Sequence, residues 1–291
     1  MVLGMPPASA PVRVLKAIAL TVVCLLVLIP FLGVLSTSVA SREAVTKAGG
    51  FVLIPDGIHV DAYRAILSGG VVTRAVLVSL GITVVGTLIS LACTTMLAYA
   101  LSGSRTFAQK PLLMVVIAAI LFGPGLIPSY LVVKSVGLLD SYWALILPGA
   151  VNAFNVIVVR SFFLAIPAEL MDSARIDGAS EFATFRLIVL PLSKAALSVI
   201  GLFYAVGYWN SFFTALLYIN NNQKWPLQLI LRSYVVDQAT LGSGQLSGAV
   251  FPPQQSIQMA ILVISVVPIL LVYPFLQKHF AKGVLTGAVK G

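Results

Sequence analysis
Glu169, Asp172, Asp177 and Glu181 are four of the nine acidic residues in the chain, and all fall within one stretch, 169–191. Arg175 and Arg186 alternate with them, and apolar runs too long for a soluble core flank the stretch on both sides. A polar segment between two membrane-length runs must lie in water or against a water-exposed partner. The chemistry on offer is that of a charged docking surface, although an ordinary amphipathic loop would carry the same charges. Catalytic and metal chemistry find no comparable cluster. His59 and His279 are far apart and lack ligand spacing, so no metal site is expected. Cys24 and Cys93 both sit in apolar runs and read as buried, inert thiols. There is no G-x-x-x-x-G-K-[ST], no H-E-x-x-H and no C-x-x-C. No ATPase or metal-hydrolase activity and no bound cofactor are expected of this chain.

The local physics of the stretch predicts a short helix, a sharp turn and a second helix. Pro167 suits the first helical turn, where its missing N–H costs nothing. Glu169 and Asp172 then lie near the positive end of the helix dipole. Leu170 and Ala174 share a face, with Gly178 next in line. Gly178 can take the left-handed conformation that ends a helix. Small Ala174 and Ala179 allow another surface to approach closely. Ser180 can cap the next helix, whose apolar stripe is Phe182, Phe185 and Val189.

The elements that must position this stretch are membrane helices. Of 291 residues, 59% are hydrophobic and only 9% charged, against roughly 25% charged in soluble domains. The net charge of +9 does not imply nucleic acid, because the basic residues flank apolar runs instead of forming a groove. Six spans are expected: 17–39, 72–101, 111–133, 142–159, 192–219 and 257–276. The first run has 25 uncharged residues between Lys16 and Arg42, enough to cross about 30 Å of hydrocarbon. A signal peptide competes with this reading, but its apolar region would be shorter. Gly123-Pro124-Gly125 and Pro128 are breakers inside span three, and Pro268 and Pro274 are kink sites in span six.

Residues 41–73 are expected as an exterior loop with a short helix near 60–67. A second exterior loop, 220–256, holds a Gly-, Ser- and Gln-rich segment, 237–248. With both ends inside, 11 of the 18 basic residues fall on the cytoplasmic side, which agrees in direction with the positive-inside rule. That orientation puts 169–191 in the cytoplasm. The domain reading is a segment 1–70 (N-terminus, first span and exterior loop) and a transmembrane domain 71–291 that ends in a basic tail, 277–291.

The spacing in 169–191 is specific. It reads Asp172-Ser173-Ala174, three residues, Gly178, nine residues, Ile188, one residue, Leu190-Pro191. This resembles the cytoplasmic EAA loop of binding-protein-dependent ABC importer permeases, with Asp172 in place of Glu and Ser173 in place of Ala. The run Ile176-Asp177-Gly178-Ala179 narrows the resemblance to the carbohydrate branch. The tail 280–291 is similar to the C-terminus of the maltose permease's shorter subunit and its relatives. Lys224-Trp225-Pro226-Leu227-Gln228 with Arg232 resembles a subgroup that imports oligosaccharides derived from alginate or plant cell-wall polysaccharides.

The resemblance implies an all-α, polytopic protein of the type I ABC importer permease architecture, in the inner (cytoplasmic) membrane with both termini cytoplasmic. It implies a second, different permease subunit alongside, an ATPase dimer beneath that binds ATP and Mg, and an extracytoplasmic sugar-binding protein above. The loop 167–186 would hold the coupling helix, with Glu169, Asp172, Ser173, Ala174, Asp177, Gly178 and Ala179 as the ATPase-coupling residues. Closure of the ATPase dimer would then drive rigid-body alternation of the membrane cavity. Sugars are held by aromatic faces with amides and hydroxyls, so Asn152, Asn155, Tyr204, Tyr208, Trp209 and Asn210 are the substrate-pathway candidates. Tyr204 and Tyr208 share a face, and polar Asn152 and Asn155 at membrane depth should face protein or water. Helix–helix hydrogen bonding is the competing account of all six. A stand-alone channel or secondary transporter is the rival function, and no charged residue lies deep in an expected span to couple ions. An ABC permease for another solute class is the other.

Overall fold
The computed structural model describes residues 10–68, 70–103, 107–236 and 252–288. Among these residues every regular element is helical. The chain forms two compact units, residues 1–70 with 234–266, and residues 71–233 with 267–291. Three helices are long and apolar enough to cross a membrane, or six if each of three bent pairs counts as one span.

In the first unit, α1 (Ala10–Val39) turns its side chains outward over most of its length. Such a helix is stable only where its apolar surface meets lipid or another protein. Cys24, expected to be buried, lies on this outward face. The end of α1 is stitched to the following segment. Thr37 Oγ1 accepts from the Val52 N–H at 2.8 Å, and Ser38 Oγ lies 2.8 Å from the Tyr63 hydroxyl. Two short helices follow, α2 (Arg42–Lys47), which the sequence reading missed, and α3 (Asp61–Ser68). Ser41 caps α2, and Asp56 accepts from both the N–H and the hydroxyl of Ser41. Those hydrogen bonds hold the Asp56 carboxyl below its ordinary pKa.

The second unit is built on α4 (Val71–Ser102), the expected second span. Spans three to five are each broken where the sequence reading drew one run. Span three is α5 (Gln109–Leu121) and α6 (Leu126–Ser135), bent by 118°. Pro124 offers no N–H and disfavours helix at the residue before it, and Gly125 has a φ of +75°. Span four is α7 (Trp143–Ile146), a 3-10 turn at Leu147–Gly149 containing Pro148, and α8 (Ala153–Leu164), bent by 50°. Arg160, expected just past the end of span four, lies inside α8.

After α9 (Ala168–Ile176) come α10 (Glu181–Thr184), a wider π-type turn at Phe185–Val189, and α11 (Leu190–Leu192). Pro191 withholds the N–H that would meet the Leu187 carbonyl. The chain then bends by 84° at Ser193 into α12 (Lys194–Trp209), and Asn210-Ser211 separates α12 from α13 (Phe212–Tyr218). The expected helix from the polar loop into span five is thus not continuous.

The loop expected at 220–256 instead contains α14 (Leu227–Val235), with Leu227, Leu229 and Ile230 buried. The segment 237–248 lies outside the described residues. Helix α15 (Gln254–Ala288) runs through Pro268 and Pro274 and continues into the stretch read as a basic tail.

The core of this unit forms where α4 packs against α12 and α8. Gly86 makes the approach possible, because a Cβ there would sit 2.8 Å from the Tyr208 ring. Gly201 plays the same part against Leu91, at 3.0 Å. The turn before α7 is tied to the segment before α14 through Asp140. Its carboxylate accepts from the Asn220 and Asn221 N–H groups at 3.1 and 2.9 Å and from Lys224 Nζ at 3.0 Å. The Asn221 N–H first, then Lys224, hold the Asp140 pKa below the ordinary carboxylate value.

Candidate functional site
The polar loop begins where α8 ends. Pro167 stands just before α9, with φ −54° and ψ 132°, one position ahead of the expected first turn. Glu169 lies in the first helical turn and Arg175 in the last, so both charges suit the dipole. The helix closes with a Schellman arrangement: the Gly178 N–H donates to the Arg175 carbonyl at 3.1 Å and the Ala179 N–H to the Ala174 carbonyl at 2.9 Å. Gly178 has a φ of +76°, which a side chain would strain. Ser180 then caps α10 through the Ala183 N–H at 3.2 Å.

Glu169, Asp172, Ser173, Asp177 and Gly178 are exposed, whereas Ala174 is buried against its own chain and Ala179 is half-buried. The exposed face, opposite Ala174, carries an apolar side chain that the sequence reading missed, Ile176 at 86% exposure, and Leu170, on the Ala174 side, is 43% exposed. The signal was present in the sequence, since Ile176 falls on the helix face opposite Ala174.

The loop is tethered to α4. The Tyr99 hydroxyl donates to Glu181 Oε2 at 2.7 Å. Its ring packs on Phe185 at 4.9 Å and edge-on to Phe163 at 6.5 Å. Glu181 Oε1 pairs with Arg175 Nη2 at 3.4 Å, and Arg175 Nη1 with Asp172 Oδ1 at 3.2 Å. Sequence reasoning did not connect Tyr99 with the loop, because the contact spans 82 positions.

A second feature is an open cavity of about 510 Å³ among the broken helices. Asn152, Asn155, Tyr204, Tyr208 and Asn210 line it together, whereas Trp209, at 4% exposure, packs inward and does not. Phe154, Phe203, Phe213, Ser211 and Thr214 complete much of the wall. The breaks create this site. Asn152 caps α8, its Oδ1 accepting from the Asn155 N–H at 3.1 Å. Asn210-Ser211 sits in the gap between α12 and α13. Ser211 Oγ is buried with no hydrogen-bond partner among the described residues. The sequence signal for it was a polar pair interrupting an apolar run.

The two tyrosines are fixed through their hydroxyls. Tyr208 donates to the Ile146 carbonyl at 3.1 Å, so the Ser90 hydroxyl, 2.8 Å away, donates to Tyr208. Tyr204 accepts from the Asn152 N–H at 3.0 Å and shares a hydrogen bond with the Thr94 hydroxyl, 2.7 Å away. With these hydroxyls committed, the tyrosines offer the cavity ring edges. The Asn155 amide, the Asn210 amide nitrogen, the Thr214 hydroxyl and the phenylalanine faces remain to meet a solute, since Ser211 Oγ is closed off and Asn210 Oδ1 accepts from Gln228 Nε2 at 3.5 Å. Among the described residues, no charged side chain lines the cavity. Such a wall can hydrogen-bond and stack, and it has no group to transfer a proton or bind an ion strongly.

No protein-family model matches the chain. It is 47% identical over 274 residues to the polygalacturonan/rhamnogalacturonan transport system permease protein YtcP of Bacillus subtilis (strain 168), covering 92% of this chain and 94% of that one. It is 49% identical over 265 residues to Protein LplC of the same strain, covering 91% and 90%. Among solved structures, it matches a chain of a bacterial ABC transporter involved in the import of the acidic polysaccharide alginate. That match has a TM-score of 0.86 and 30% identity, and covers 95% of this chain and all of that one. The shared sequence and the shared fold across nearly the whole length place this multi-pass membrane protein: the chain belongs to the permease subunits of carbohydrate ABC importers.

Proposed function
We propose that this chain forms half of the translocation pathway of a binding-protein-dependent importer for oligosaccharides released from acidic polysaccharides of plants or algae. The observation that carries the sugar reading is the cavity, whose amides, hydroxyls and phenylalanine faces suit sugar hydroxyls and ring faces, while the acidic class is taken from the names of the relatives. The other half of the pathway is a second, different permease. The chain lies in the inner (cytoplasmic) membrane with both termini in the cytoplasm. An extracytoplasmic binding protein delivers the sugar. An ATPase dimer docks on the exposed face of α9, at Glu169, Asp172, Ser173, Asp177 and Gly178, and carries the ATP and Mg chemistry. This chain is non-catalytic. The names of YtcP and of the alginate transporter support the substrate class.

The test is uptake in a strain lacking this chain. Labelled galacturonate- and alginate-derived oligosaccharides are compared with neutral ones. Loss of acidic oligosaccharide uptake, restored by the wild-type chain and reduced by Asn155→Ala or Asn210→Ala, is expected. Undiminished uptake of every acidic oligosaccharide would overturn the substrate assignment.

A further inference from the structure
The cytoplasmic end of α4 is held from several directions. Arg160 Nε on α8 and Gln109 Nε2 at the start of α5 both donate to the Leu101 carbonyl, at 2.9 and 2.7 Å. Next to this anchor, Tyr99 meets Glu181, so a chain of contacts runs Asp172–Arg175–Glu181–Tyr99 from α9 into α4. A cleft of about 500 Å³, lined by Tyr99, Ser102, Phe163, Met171 and Arg175, lies beside the chain, so apolar packing fills the junction only in part. Further along α4 are Thr94 and Ser90, which hold the cavity tyrosines Tyr204 and Tyr208. At the helical rise these lie about 8 and 13 Å from Tyr99.

We propose that the Tyr99–Glu181 hydrogen bond is the joint through which movement of α9 reaches α4 and, along it, the cavity wall. The inference rests on α9 being the helix that docks on the ATPase. Both ion pairs of Arg175 are exposed, with Glu181 at 67%, and such pairs add little to stability. Their contribution here is connection and direction. The Tyr99 ring is clamped by Phe163 and Phe185, which holds its hydroxyl against Glu181, 2.7 Å from the carboxylate and 3.3 Å from the main-chain carbonyl. An intact helix displaced at one end moves as a rod. Tyr99 is therefore a positioning residue for alternation of the cavity, and touches neither sugar nor ATP.

The experiment uses the whole transporter, with both permeases, the ATPase dimer and the binding protein, in proteoliposomes. Tyr99→Phe keeps the ring and removes the hydroxyl. The expected result is normal co-purification of the ATPase, persistent ATP hydrolysis, and sugar taken up per ATP lowered by roughly tenfold. Glu181→Gln retains an acceptor for Tyr99 and should lose less than Glu181→Ala. The Tyr99 hydroxyl also lies 3.3 Å from the Glu181 main-chain carbonyl, which Glu181→Ala retains, so the loss in Tyr99→Phe/Glu181→Ala should fall well short of the two single losses combined, since both remove the hydroxyl–carboxylate contact. If Tyr99→Phe lowers the yield of complex, the exposed Glu181→Ala and Glu181→Gln pair carries the comparison. Wild-type uptake per ATP in Tyr99→Phe, or additive losses in the double variant, would overturn the joint. Gly178→Asp separates this failure from that of the docking reading. If Gly178→Asp releases the ATPase while Tyr99→Phe is silent, the joint fails and the docking surface stands. If Gly178→Asp retains the ATPase, the docking surface itself fails.

Discussion

At Gly178 one backbone angle decides how a helix ends and what it can present. The φ of +76° lets two N–H groups close the end of α9, and a Cβ there would meet nothing within 4 Å of its own chain. Any steric cost of a side chain must therefore come from a docked partner. Gly178→Asp adds about 1 kcal/mol of backbone cost, and its charge adds a similar dipole cost beside Asp177 at the helix C-terminus. Burying that charge in a contact costs several kcal/mol more. Normal membrane expression, weak ATPase co-purification and little sugar uptake are expected, and Gly178→Ala should be milder. Co-purification and uptake at wild-type levels in the Asp variant would remove this surface from the coupling path.

At the scale of elements, the packing of α12 on α4 depends on a missing side chain. The Tyr208 ring occupies the space over Gly86, and its hydroxyl is anchored at both Ser90 and Ile146, so the ring cannot easily give way. Gly86→Val should cost about 1–3 kcal/mol through overpacking and reduce uptake, with Gly86→Ala less severe. A thermal melt of the purified transporter checks this; an unchanged melting temperature would contradict the close approach.

Asp140 joins two other elements. Its folded pKa is depressed, so its stabilising contribution is present above the ordinary carboxylate value and is lost as pH falls through the folded value. Hydrogen exchange at 136–145 and 219–226 should distinguish wild type from Asp140→Asn at neutral pH. The two should converge only as pH falls through the folded value, which lies below the ordinary carboxylate pKa of about 4. A difference that persists unchanged in acid would place the tether elsewhere.

For the whole molecule, the decisive measurement is sidedness. A reporter joined after Lys110 or after Gly178 should be cytoplasmic, and one inserted near Gly244 extracytoplasmic. An extracytoplasmic signal at Gly178 would defeat the proposed coupling, because α9 could not reach an ATPase. The same orientation puts α14 and the Asp140 tether outside, and the Tyr99–Glu181 contact inside. The cavity then lies between the two faces, as a translocation path requires.

The membrane class, the approximate spans and the polar helix with its glycine stop were legible in the residue order because they depend on local quantities. These are apolar length, charge placement and the capping chemistry of Pro167, Gly178 and Ser180. Three spans drawn as straight runs are instead bent or broken at Phe122–Gly125, Leu147–Asn152, Ser193 and Asn210-Ser211. Pro and Gly mark some of these places, but whether a breaker bends a helix depends on what neighbouring helices do with the freed backbone groups. Helix α14 was hidden because its nine mostly apolar residues are too short for a span and lie within a polar, Gly- and Ser-rich stretch. Only the tertiary structure brought Asn152, Asn155, Tyr204, Tyr208 and Asn210 to one cavity while turning Trp209 away, and only it joined Tyr99 to Glu181. Those contacts link residues far apart in the chain, and residue order does not encode which faces of two packed helices will meet.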